Sequence, residues 1–142
     1  MPILLFSNLK GGVAKTTNAV AIAECLASGG HQTLLLDADH QCMASEMLIG
    51  PERLLQRENK HKTFHDLLCS CLDERFSTDH FGDFIVTPAS DIGGGLPNLS
   101  LLPCSIRIDD FATNVAKARR GFQTTPEYMN ASRSRRESLG RW

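Results

Sequence analysis

Residues 9–17 read LKGGVAKTT, and they follow the apolar run Ile3, Leu4, Leu5, Phe6 almost at once. An apolar strand, a glycine-bearing loop, a Lys-Thr-Thr triplet and an alanine-rich helix, in that order, make a phosphate cradle. Backbone N–H groups surround the phosphates, a lysine reaches them, a hydroxyl meets Mg2+, and the helix N-terminus favours negative charge. Residues 3–7 accordingly predict a strand apolar on both faces, as in a buried parallel sheet.

Working outward, residues 16–28 predict a helix. Ala19, Ile22, Ala23 and Leu26 fall at helical spacing and give it one apolar face. Gly29-Gly30 is its stop signal. Residues 33–37, TLLLD, predict a second buried strand. Strand, helix and strand would form a right-handed βαβ unit with parallel strands. The second strand runs into Asp37-Ala38-Asp39-His40-Gln41. Ligands in open α/β sheets sit at the carboxyl ends of the strands, so both aspartates are expected on the side where the loop opens.

Beyond this unit the signals are weaker. Residues 43–49 predict a short helix closed by Gly50-Pro51, and residues 52–62 a charged, exposed stretch. Thr63 and Asp66 stand in a capping-box arrangement for a helix reaching about Leu72. Residues 84–87 and 99–103 predict short strands, the first stopped by Pro88. The run Gly93-Gly94-Gly95 opens no helix and predicts a loop. A helix is expected over 106–120, with Ile108, Phe111, Ala112 and Val115 on its apolar face, and another over 126–139. The latter carries Arg133, Arg135 and Arg136, but Glu127 and Glu137 interrupt them, which favours a solvated face over a nucleic-acid surface.

Composition sets bounds. With 42% hydrophobic and 22% charged residues the chain reads as globular, and its net charge of -1 gives no general footprint for nucleic acid. No apolar run approaches the length of a membrane span, and the N-terminus carries no secretory pattern. Cys25, Cys42, Cys69, Cys71 and Cys104 are irregularly spaced and lack zinc-finger pairing, so ordinary reduced thiols of a cytoplasmic protein are expected.

Measured against GxxxxGK[ST], the loop has Leu9 and Ala14 where glycines belong. It also carries a second lysine, Lys10, directly before Gly11-Gly12. In this it resembles the deviant Walker A loop, KGGxGK[ST]T, of the ParA/MinD (Soj-like) family of P-loop ATPases. The segment LLLDADHQCMAS resembles that family's D-x-D-P-Q motif, with His40 in the place of proline and read as solvated. Residues 84–110, with FIVTPAS and LSLLPCSIRIDD, resemble its ParA branch.

The resemblance implies an α/β fold, a P-loop NTPase-like parallel sheet with flanking helices. It implies ATP and Mg2+ as cofactors. Lys15 would bridge the β- and γ-phosphates, Thr16 would place its hydroxyl on Mg2+, and Thr17 would contact the α-phosphate. Gly11, Gly12, Val13 and Ala14 would complete the nucleotide-binding loop. Lys10 would reach the partner's ATP across a nucleotide-sandwich homodimer. Asp39 would orient the attacking water and Asp37 would support the Mg2+ shell. The family also implies a ParB-like partner, nonspecific DNA bound by the full-length dimer, a cytoplasmic and nucleoid location, and no membrane. A MinD-like or cobyrinate-synthesis-type relative is the alternative within the superfamily.

Two departures shape the expectation. Ala14 would cost about 1–2 kcal/mol if its position requires positive φ. The family's Walker B aspartate has no counterpart in the sequence. Residues 1–142 are therefore expected to be the N-terminal part of an incomplete ATPase domain, marginally stable and weakly hydrolytic at most. A truncated, non-hydrolysing nucleotide- or partner-binding module is the reading from a different class.

Overall fold

The structure, a computed structural model, describes residues 1–7, 12–73, 76–111, 113, 115 and 116. The chain divides into two units, Met1–Ile108 and Asp109–Trp142. In the second, Phe111, Thr113, Val115 and Ala116 are helical, and the predicted helix over 126–139 lies outside the described residues.

The first unit is α/β. Helix α1 (Lys15–Ser28) ends where predicted, with the Gly29 N–H bonded to the Cys25 carbonyl and Gly30 at φ 87° carrying the chain away. Strand β1 (Thr33–Leu36) follows, then helix α2 (Met43–Asn59), helix α3 (Phe64–Ser70) and strand β2 (Leu99–Leu102). The two strands are parallel, with Thr33 opposite Leu99 and Leu36 opposite Leu102. Two 3-10 turns, Thr78–Phe84 and Ile92–Gly94, complete the unit, and a third, Ile106–Asp110, begins at its end. Val20, Ala23 and Ala27 of α1, Leu35 of β1, Ala44, Leu48 and Leu54 of α2, and Leu99 and Leu101 of β2 form one core. Leu67 of α3, Phe84 and Leu102 form a second.

Several expectations need correction. Residues 3–7 form no strand, and Ile3 and Leu5 are 82% and 87% exposed. A strand needs a neighbour for its N–H and C=O groups. The sheet holds β1 and β2 alone among the described residues and residues 3–7 pair with neither, so the βαβ unit built on residues 3–7 is not formed. Beyond β2 lies residue Val86, in an antiparallel bridge with Leu101; this single bridge replaces the strand expected over 84–87. The buried side of α1 is Val20, Ala23 and Ala27, leaving Ile22 and Leu26 exposed. Leu34 and Leu36 of β1 are likewise exposed, so the strand is covered on one face only.

Helix α2 consists of two segments, and the first closes at Gly50-Pro51 as expected: Gly50 turns the backbone at φ 76° and ψ 159°, and Pro51 starts a second helical segment that runs to Asn59 through the stretch expected to be charged and exposed. Pro is favoured at a first helical position, so the dipeptide is both a stop and a start. The capping box at Thr63 forms as expected: the Thr63 hydroxyl accepts from the Asp66 N–H, and Asp66 accepts from the Thr63 N–H. Arg107 donates to both Asp66 oxygens at 3.1 Å and ties α3 to the 3-10 turn that opens the 106–120 segment. That segment therefore begins as a 3-10 turn and not as an α-helix, and residues 117–120 lie outside the described residues.

Candidate nucleotide-phosphate site

The site is built on the N-terminus of α1. A short connection joins the end of α1 to the start of β1, and the two pack in one core. They therefore run antiparallel, and the first turn of α1 lies at the carboxyl end of β1, where Asp37 and Asp39 emerge. At the foot of the same layer the Asn98 amide donates to the Ala27 carbonyl at 3.3 Å, which fixes the other end of α1 beside β2.

The chain enters α1 through two left-handed residues, Gly12 at φ 70° and Ala14 at φ 54°, with Val13 between them. Ala14 is the N-cap. It supplies no side-chain cap, and no acidic residue lies in the first turn. The first N–H groups of a helix have no intrahelical acceptor. Neither a side-chain cap from Ala14 nor a first-turn carboxylate occupies this end, and the positive end of the helix dipole favours an anion there. Lys15 and Thr16 are half-buried here, while Thr17, Val13 and Gly12 are exposed. The structure thus brings Gly12, Val13, Ala14, Lys15, Thr16 and Thr17 together. Lys10 and Gly11 lie outside the described residues.

Helix α2 begins in the same way and is treated differently. Its N-cap, Cys42, is also left-handed at φ 54° and also gives no side-chain cap. The missing acceptor comes from Asp37. One Asp37 oxygen accepts from the Ser45 N–H at 2.9 Å and from the Ser45 hydroxyl at 2.7 Å. The other accepts from the Asp39 N–H at 3.2 Å. Asp37 is only 5% exposed, so its charge is held by N–H and O–H dipoles and by the positive end of α2. Ser45, fully buried, also accepts from the Cys104 N–H at 3.0 Å, at the end of β2.

Asp39 is placed otherwise. Its carboxylate is 44% exposed, accepts from the Gln41 N–H at 3.1 Å and stands 3.7 Å from the His40 ring. Its carbonyl accepts from the Cys42 N–H at 2.8 Å, closing the turn. His40 is more than half exposed, as expected. Behind the turn, Cys42 and Cys104 are buried free thiols. Burial pushes the Cys42 thiol up to about 11, against a hydrogen bond with Cys104 that lowers it. Burial, then the charge of Asp37, pushes the Cys104 thiol up as well. Both therefore stay protonated beside the carboxylate.

The arrangement fits a phosphate group at α1, because the donors are backbone N–H groups, a lysine and two threonine hydroxyls with no competing carboxylate in the first turn. Thr16 has the chemistry of a Mg2+ ligand. Asp37 already serves three protein donors. Sequence reading missed Ser45 and Cys104 as its surroundings. A buried-type strand ending in Asp, with a serine eight positions on at the start of a helix, was the available signal.

Residues 1–120 match the family described as AAA domain. The chain is similar to the chromosome partitioning protein ParA of Caulobacter vibrioides (strain NA1000 / CB15N), 33% identical over 96 residues, which cover 65% of this chain and 34% of that protein. It is also similar to the chromosome partitioning protein ParA of Myxococcus xanthus (strain DK1622), 54% identical over 39 residues, which cover 28% of this chain and 14% of that protein. The chain thus spans about a third of the length of the Caulobacter relative it matches. No solved structure gives a significant match.

Proposed function

The chain belongs to the AAA domain family that its residues 1–120 match, P-loop ATPases of the ParA/MinD type, and from that premise we propose that it binds ATP with Mg2+ as a ParA-like partitioning ATPase segment. The observation that carries the proposal is the N-terminus of α1, where Ala14 makes no side-chain cap and the first turn holds Lys15, Thr16 and Thr17 and no acidic residue. Bound Mg2+ and ATP supply a scissile phosphoanhydride and a metal charge on its phosphates. The chain's own residues then position and neutralise. Lys15 holds the β- and γ-phosphates. The N–H groups of Gly11, Gly12, Val13 and Ala14 and the hydroxyl of Thr17 hold the remaining oxygens. Thr16 would place its hydroxyl on Mg2+, and Asp37 would support the Mg2+ shell from the turn that it holds. Asp39, with its exposed carboxylate, orients the attacking water.

Lys10 acts in a homodimer, reaching the partner's nucleotide. The dimer is the form that binds nonspecific DNA, and a ParB-like protein stimulates its turnover, in the cytoplasm and on the nucleoid. The partitioning role is supported by the names of the similar proteins from Caulobacter and Myxococcus. Among the described residues no helix is long and apolar enough to cross a membrane.

The test is equilibrium binding of a fluorescent ATP analogue with and without Mg2+. Lys15→Ala should weaken binding at least tenfold, and Thr16→Ala should abolish the gain from Mg2+. Equal binding by Lys15→Ala and the unaltered chain would refute the proposal. A non-hydrolysing nucleotide- or partner-binding module is the second reading, favoured by the exposure of Ile3, Leu4 and Leu5. ATP-dependent dimerisation without turnover would select it.

A further inference from the structure

Asp37 does more than cap a helix. Its two oxygens join three elements: the Asp39 turn through one, and α2 through the other, where Ser45 in turn accepts from the Cys104 N–H at the end of β2. We propose that Asp37 and Ser45 form a positioning clasp, and that Ser45 is the residue through which the end of β2 sets the turn carrying Asp39. The inference rests on the reading of Asp39 as the water-orienting group.

The chemistry of the two residues suits the task. A carboxylate only accepts, so it can hold the Asp39 N–H and both Ser45 donors at once. The serine hydroxyl donates to Asp37 and accepts from Cys104, which no apolar or acceptor-only side chain could do. The turn has further bonds of its own. The Asp39 carboxylate accepts from the Gln41 N–H and the Asp39 carbonyl accepts from the Cys42 N–H. Asp37 thus holds the backbone of Asp39, and the Gln41 N–H holds its carboxylate. The carboxylate of Asp39 is left exposed while that of Asp37 is buried, so one aspartate of the pair works outward and the other inward. A position that is fully buried and bonded on both sides by polar groups is expensive to leave half-satisfied, and that makes the clasp act as a unit.

Native-state amide exchange on the whole chain tests this. In the unaltered protein the amides of Asp39, Ser45 and Cys104 should exchange together, with protection factors within about threefold of one another. Ser45→Ala should lower all three at least tenfold while the amides of Ala23 and Ala27 in α1 change by less than twofold. A merely structural role would lower α1 and the turn alike. Independent exchange of the three amides in the unaltered chain, or a uniform loss in Ser45→Ala, would overturn the proposal. The first comparison decides even if Ser45→Ala fails to fold. Affinity for the ATP analogue should stay within twofold in Ser45→Ala, because the α1 cradle is untouched, and a tenfold loss would count against the clasp. Failure of the unaltered chain to bind the analogue would refute the nucleotide reading instead, and the exchange pattern would still judge the clasp.

Discussion

Replacing Ala14 by glycine should make the protein more stable. Ala14 sits at φ 54° and ψ 28°, in the left-handed region, and it immediately precedes α1. A Cβ in that region costs about 1–2 kcal/mol through its clash with the following carbonyl. Glycine removes the clash but gives the unfolded chain more freedom, which offsets about 0.4–1 kcal/mol. Ala14 is exposed, makes no cap and is absent from the core, so no packing is lost with the methyl group. The net gain should be about 0.5–1 kcal/mol, or about 2–5 °C in midpoint for a chain of this size.

Urea and thermal unfolding of Ala14→Gly measure it, with Ala21→Gly as the control of opposite sign. Ala21 lies on the exposed side of α1 within the helix, where glycine should cost about 0.8–1 kcal/mol. Analogue affinity distinguishes two cases. If nucleotide binds the loop in its present conformation, Kd stays within about twofold, since the strain is relieved in both free and bound states. An unchanged or lowered midpoint for Ala14→Gly, at an unchanged urea slope, would show that the left-handed entry carries no strain and would refute the reasoning.

Alkaline pH should destabilise the protein through its buried thiols. Their folded pKa values are raised, to about 11 for Cys42, so the stability they contribute is present below the unfolded thiol value and is lost as pH rises through the folded one. Urea midpoints taken between pH 8 and pH 11 should fall along the series, and Cys42→Ala should flatten the fall. With a thiol reagent at neutral pH, the exposed Cys25 and Cys71 should react in the native protein, and Cys42 and Cys104 only after urea is added. Thr63→Ala removes one side of the capping box and should cost about 1 kcal/mol; Thr63→Ser should recover most of it, measured by urea unfolding.

What the sequence made legible was local. The Gly29-Gly30 stop, the Thr63 and Asp66 capping box and the strand opening at Leu99 each depend on residues a few positions apart, and each stands where expected. Residues 3–7 were not legible in this way, because strand propensity says nothing about which edge is free. The apolar run is real, but pairing is decided by partners far along the chain, and β1 meets β2. The face of α1 was ambiguous in a physical sense: on an alanine-rich helix two stripes differing by a small rotation are both apolar. Leu35, Leu48 and Leu99 select the one carrying Val20 and Ala27. Asp37 was read from its motif as a group near the metal, and only the direction of α2 shows where its oxygens go.

The two helix entries bear on the site more directly than any single residue. Both α1 and α2 start behind a left-handed non-glycine residue that offers no side-chain cap, so each presents first-turn N–H groups with no intrahelical acceptor. At α2 the protein fills that position itself, with the buried carboxylate of Asp37. At α1 it adds Lys15 and two threonines and keeps carboxylates out of the first turn. At α2 the Ser45 N–H meets the Asp37 carboxylate at 2.9 Å, and Glu46 adds a second acid in the first turn. At α1 the same entry geometry, with a lysine and two threonines and no acid in the first turn, is what the proposed phosphate ligand would meet.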